Sequence, residues 1–254
     1  MIEQLAAYVD LTTTELLICI GVITIAGIVR GFSGFALSAL IMAGLVVIIP
    51  PIHLIPVCFM LEAVASAIMV RGGMKDADMK IVWGLVIGSA IGTPIGLYAT
   101  NTLPIETSKL VALCVLMALA IAQLMRLRFA FLATFAGLYI SGLLAGIVSG
   151  LASIGGMVVA LYVLSQDIAA KKIRASLVMF LFIGIVTSSI YLYLYDMLTI
   201  LAVKRSLVFS PLVISGVLIG SWIFRPSLES FYKRFCLVLL IGLAGLSLIR
   251  IPLS

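Results

Sequence analysis

Arg30 is the only charged residue between Glu15 and Glu62, and it stands in the stretch AGIVRGFSGFALS, residues 26–38. A guanidinium is a permanent cation with a planar fork of donors that matches the oxygens of an oxyanion. Gly31, Ser33 and Gly34 follow it closely. Glycines let a ligand approach the backbone, and the first N–H groups of a helix starting there would face that ligand with partial positive charge. A second stretch, AGIVSGLASIGGMVV at 145–159, offers Ser153, Gly155 and Gly156 for the same purpose. The chemistry in view is the binding of a small anion. Glu62, in CFMLEAVASAIMV, is a carboxylate near mid-membrane; it either carries a proton during turnover or serves as the counter-ion of Arg30. Arg174, in IRASL, is by default a loop charge that sets orientation, with a gate as its alternative role.

Other chemistries lack their residues. There is a single histidine, His53, and no HExxH or GxSxG motif, so the sequence does not read as an enzyme. The four cysteines (Cys19, Cys58, Cys114 and Cys236) lie in apolar stretches with no CxxC spacing, which argues against a zinc site or a disulfide framework. No cofactor or metal is expected.

The elements that must position these residues follow from composition. Hydrophobic residues make up 64% of the chain and charged residues 10%, with a mean hydropathy of +1.34. Soluble domains carry about 25% charged residues, so the chain is read as an all-α polytopic membrane protein with the lipid bilayer as its solvent. Ten apolar segments can be marked, near 15–30, 35–49, 52–70, 81–100, 109–125, 130–149, 152–165, 174–195, 206–224 and 233–250. A full span takes about 20 residues. Segments 35–49 and 152–165 are shorter, so eight to ten transmembrane segments are expected. As one helix, the tract from Glu15 to Pro50 would be about 54 Å long, against a hydrocarbon core of about 30 Å. It must break, and Gly31–Gly34 is the place, with the hydroxyl of Ser33 available to cap the helix that follows.

The break recurs. The tetrapeptide Ala-Gly-Ile-Val is identical at 26–29 and 145–148, and Gly31 aligns with Gly150. The chain therefore divides into two transmembrane repeats, 1–128 and 129–254, each opening on a glycine-broken helix near the midplane. Glycines at 88, 92 and 96, and at 142, 146 and 150, have the four-residue spacing of helix-packing faces. Tyr191, Tyr193, Tyr195, Trp83 and Trp222 read as an interfacial aromatic belt. With the N-terminus outside, the inside loops collect eleven basic residues, among them Arg71, Lys75, Arg126, Lys172 and Arg234, and the outside receives Lys109, Lys204, Arg205 and Arg250. The positive-inside rule selects this orientation, with both termini outside. The net charge of +6 is accounted for by these loops and not by nucleic-acid binding. Five segments per half would make the repeats inverted.

The stretches GIVRGFSGFALS, GIVSGLASIGGMVVALYVL, KKIRASLVMFLF and SGVLIGSWIFRPSLESFYKRFCLVLLIGLAGLSLI resemble the TauE/SafE family of sulfite exporters, also called the 4-toluene sulfonate uptake permease family. Their order and spacing cover nearly the whole chain. The resemblance implies a secondary transporter in the bacterial inner membrane that exports small sulfur-containing or organic anions such as sulfite and sulfonates. Proton coupling and a second copy of the chain are further candidate partners. The rival readings are an anion channel and an uptake permease for an organic acid. Arg30 and Ser33 depart from the more glycine-rich pattern common in the family's first half.

Overall fold

The computed structural model describes residues 2–73, 76–127, 130–164, 170–223 and 229–250. Among them there are eleven α-helices and no strand: α1 (Ile2–Tyr8), α2 (Thr13–Ser33), α3 (Leu37–Leu45), α4 (Pro51–Gly73), α5 (Met79–Thr102), α6 (Ile105–Leu124), α7 (Phe135–Ala152), α8 (Gly155–Leu164), α9 (Ala170–Leu194), α10 (Ile200–Ile223) and α11 (Glu229–Arg250), with a 3-10 turn at Ala130–Ala133. The side chain of Arg174, and Lys75, Arg128 and Arg225 from the charge pattern, lie outside the described residues.

Seven of these helices are long and apolar enough to cross a bilayer: α2, α4, α5, α6, α7, α9 and α10. At 22 residues, α11 matches them in length. The two short segments fold as helices of nine and ten residues, α3 and α8. At about 1.5 Å per residue each reaches roughly half of a 30 Å core, so neither crosses alone.

Helix starts follow local chemistry. Thr12 and Glu15 form a reciprocal capping box at α2, with Glu15 N–H donating to Thr12 Oγ1 at 3.3 Å and Thr12 N–H donating to Glu15 Oε2 at 2.8 Å. Thr134 caps α7 through the N–H of Gly137 at 3.0 Å. Asp78 caps α5 through the N–H groups of Lys80 and Ile81. The Lys172 ammonium, 2.8 Å from Asp78, holds that carboxyl below the usual carboxylate range.

The glycine faces are packing faces, as their spacing predicts. A Cβ on Gly88 would come within 2.9 Å of Gly142 Cα, and one on Gly96 within 2.9 Å of Gly150 Cα. Only glycine permits this approach of α5 to α7, and the ascending pairs show that the two helices run parallel. On its opposite side α5 exposes Ile87, Ile91 and Ile95. α2 and α10 repeat the arrangement. Gly27 meets Gly216, Gly31 meets Gly220, and the helices are again parallel.

Hydrogen bonds fix the remaining directions. The Asp78 N–H donates to Ser176 Oγ (2.9 Å) at the start of α9, and Tyr195 OH at its end donates to the Pro94 carbonyl (3.2 Å), so α5 and α9 are parallel. Arg205, near the start of α10, donates to the carbonyls of Val9 (2.9 Å) and Asp10 (3.1 Å), just before α2. Of the five aromatic residues assigned to a belt, Trp83, Tyr193 and Trp222 are exposed, whereas Tyr191 and Tyr195 are half-buried.

Candidate functional site

α2 stops at Ser33 because Gly34 adopts the left-handed conformation, φ 81°, and returns its N–H to the Arg30 carbonyl at 2.9 Å. Ala36 is also left-handed, φ 78°, a conformation that costs a residue with a side chain about 1–2 kcal/mol. Ser33 does not cap α3. Its hydroxyl donates to the Phe35 carbonyl at 2.6 Å and accepts from the Phe35 N–H at 3.3 Å, so it is committed inside the turn. The start of α3 is served from another helix. Ser38 N–H (3.3 Å) and Ser38 Oγ (3.1 Å) both donate to Glu62 Oε1 of α4.

Arg30 is fully buried. Its Nε lies 3.1 Å from Glu62 Oε2, Nη2 donates to Ser66 Oγ at 3.0 Å, and Nη1 donates to the Gly34 carbonyl. One side chain therefore ties together α2, the turn after it, and α4. A buried ion pair stabilises little by itself, but loss of one partner leaves a charge without compensation.

The second turn is built differently. α7 ends at Ala152, and Ser153 takes φ 58° while its N–H donates to the Ser149 carbonyl at 2.7 Å. α8 then starts at Gly155. A Cβ on Gly155 would collide with Ser149 Oγ and the Ala145 carbonyl, so the turn needs glycine there. Beside this turn lies a small cavity with an open mouth. Four serines line it: Ser89 from α5, Ser149 from α7, Ser153 from the turn, and Ser188 from α9. Gly155 and Gly156 bring the start of α8 to its wall, Phe59 and Phe180 add aromatic faces, and Glu62 closes one side.

Of the residues singled out from the sequence, Ser153, Gly155, Gly156 and Glu62 meet at this cavity. Arg30, Gly31, Ser33 and Gly34 do not line it. Arg30 stands behind Glu62, and Gly31 serves the close approach of α2 to α10, where a Cβ would lie 2.7 Å from Ser221 N. Ser89, Ser149 and Ser188 are additions. Ser149 was findable, since the repeat alignment sets it opposite Arg30; serines within long apolar helices, such as Ser89 and Ser188, do not show in the sequence which way they face.

The profile of the family described as Sulfite exporter TauE/SafE matches residues 19–248. The chain belongs to the TauE/SafE family. No curated protein and no solved structure gives a significant match. TauE/SafE is a membrane transporter family, and its name points to sulfite and related sulfur anions. In this TauE/SafE chain the matched region takes in α3, α8 and every residue lining the cavity.

Proposed function

We propose that this TauE/SafE chain is a secondary transporter that exports small sulfur-containing or organic anions, sulfite and sulfonates foremost, and that the serine-lined cavity is where the anion binds. The observation that carries this reading is the convergence of Ser89, Ser149, Ser153 and Ser188 with the glycine start of α8 on one cavity. Hydroxyls and a helix start bind a sulfur oxyanion without a fixed counter-charge in contact with it. Glu62, on the wall, is the coupling carboxylate or the counter-ion of Arg30.

The halves 1–128 and 129–254 are read as inverted repeats related about the cavity. Three directions support this. α5 is parallel to α7 and α9, α2 is parallel to α10, and Arg205 ties the start of α10 to the residues before α2. With the short 195–199 connection sending α10 back across the membrane from the end of α9, α2 and α7 run in opposite senses. Broken helices meeting at a repeat interface are a common basis of alternating access.

Reconstituted in liposomes, the protein should move sulfite with saturating kinetics, and sulfonates should compete. A hydrogen bond to a charged group contributes about 1.5–3 kcal/mol, so Ser149→Ala and Ser188→Ala should each weaken apparent affinity roughly tenfold or more. Flux that never saturates would mark a channel instead. In the same assay, Glu62→Gln should flatten the pH dependence of sulfonate flux if Glu62 carries the proton.

The proposed location is the bacterial inner membrane with both termini outside. In a variant lacking the four native cysteines, an impermeant thiol reagent added outside should label a cysteine at Thr102 and spare one at Ala77. Labelling of the Ala77 position alone would reverse the orientation.

A further inference from the structure

The two turns share the 119-residue offset of the matching tetrapeptides. Ser33 and Ala152 end α2 and α7 and are 119 residues apart, as are the two Ala-Gly-Ile-Val stretches. Carried through, the offset pairs Ser149 with Arg30, Ser153 with Gly34, Leu181 with Glu62 and Ile185 with Ser66. Ser149, Ser153, Leu181 and Ile185 all line the cavity. Their four counterparts are the residues of the ion-pair network, joined by the contacts of Arg30 with Glu62, Gly34 and Ser66. The first half thus holds a salt bridge in the place where the second half leaves a cavity.

Within that network the Glu62 carboxylate behaves as a bound anion would. One oxygen faces Arg30 Nε at 3.1 Å, and the other accepts both the N–H and the hydroxyl of Ser38. The carboxylate arrives from α4, whereas the groups that hold it belong to α2 and α3. We propose that Arg30, Ser38 and Ser66 form a second anion site, the repeat counterpart of the cavity, that accepts a small carboxylate or sulfur oxyanion, and that Glu62 is its tethered occupant. The proposal rests on reading the cavity as an anion site. It adds that the native chain fills the first-half site itself, and that Glu62, which borders both sites, separates them.

Removal of the tether should expose the site to a free anion. Full-length Glu62→Ala, purified in detergent, is heated with formate or with chloride at equal ionic strength. A ligand at a hundredfold excess over its Kd should raise the unfolding midpoint by about 5–10 °C in a protein of this size. Formate should do so in Glu62→Ala and leave the native protein, Glu62→Gln and the double variant Arg30→Met/Glu62→Ala unmoved. If Glu62→Ala is not recovered as a monodisperse protein, purification with formate throughout should restore it. No formate shift in folded Glu62→Ala overturns the proposal, as does an equal shift in the Arg30→Met double variant or a failure of formate to restore folding. The readout involves no sulfite and no flux, so its failure is distinct from failure of the serine variants in the transport assay.

Discussion

Gly155→Val should lower anion affinity at least a hundredfold and stop transport. A side chain at 155 has nowhere to go, because its first carbon already runs into Ser149 Oγ and the Ala145 carbonyl. Valine must push Ser149 out of the cavity or pull the start of α8 away from α7. Either movement removes two or more donors from the site, each contributing about 1.5–3 kcal/mol to a charged ligand. Gly156→Ala is the internal control. A Cβ there would meet only Leu181, at 3.5 Å (Cδ2) and 3.8 Å (Cδ1), ordinary contacts, and affinity should change only severalfold. Titration calorimetry with sulfite and a sulfonate on monodisperse protein reads both variants. Near-native affinity in Gly155→Val would move the anion site elsewhere and leave the second turn a purely structural role.

Arg30→Gln should destabilise the fold by about 3–5 kcal/mol, since it leaves the Glu62 carboxylate buried beside the cavity without its partner. For a chain of this size that corresponds to a fall of roughly 6–20 °C in the unfolding midpoint. The double variant Arg30→Gln/Glu62→Gln should recover much of the loss, because two neutral amides can hydrogen-bond to each other and to Ser38 and Ser66. Arg30→Lys should fall between native and Arg30→Gln: it keeps the charge but cannot reach Glu62, Ser66 and Gly34 together. Thermal unfolding of the four proteins of the cycle measures the coupling. Strict additivity of the two single changes would show that the pair does not act as a unit.

Different parts of this structure were legible to different degrees. The seven apolar helices, the half-length of the segments at 35–49 and 152–165, and the glycine contacts of α5 with α7 follow from composition, length and four-residue spacing, all of which are local. Ser153, Gly155 and Gly156 were legible because the duplication marks their turn, and Glu62 because a lone intramembrane carboxylate is conspicuous, but the sequence grouped that turn with Arg30, Gly31, Ser33 and Gly34, which do not line the cavity. What escaped was the division of labour. Ser33 is at the right place to cap α3, but it also lies within reach of Phe35, and a local bond wins without any long-range element in place. The actual partner of α3 comes from Glu62, 24 residues after Ser38, and nothing in the intervening sequence announces that contact. Arg30 reads as a ligand in isolation; its three contacts with Glu62, Ser66 and Gly34 turn it into the support of another residue.

The glycine seams also bear on how the chain is made. Gly27 and Gly31 of α2 find their partners on α10, at Gly216 and Gly220. At a synthesis rate of about 5–20 residues per second, α2 waits roughly 10–40 s in the bilayer before that partner is translated. Glu62 emerges far sooner, about 2–6 s after Arg30 on the same scale, so the newly inserted arginine gains its counter-ion early while the glycine seam stays open to lipid. α7, by contrast, is born with α5 already in place. The opening helix of each half is thus sealed by a helix of the other, and a nascent first half has no means of closing its own seam. Severed between α6 and α7, the gene should give two fragments that mature only when produced together in the same cell.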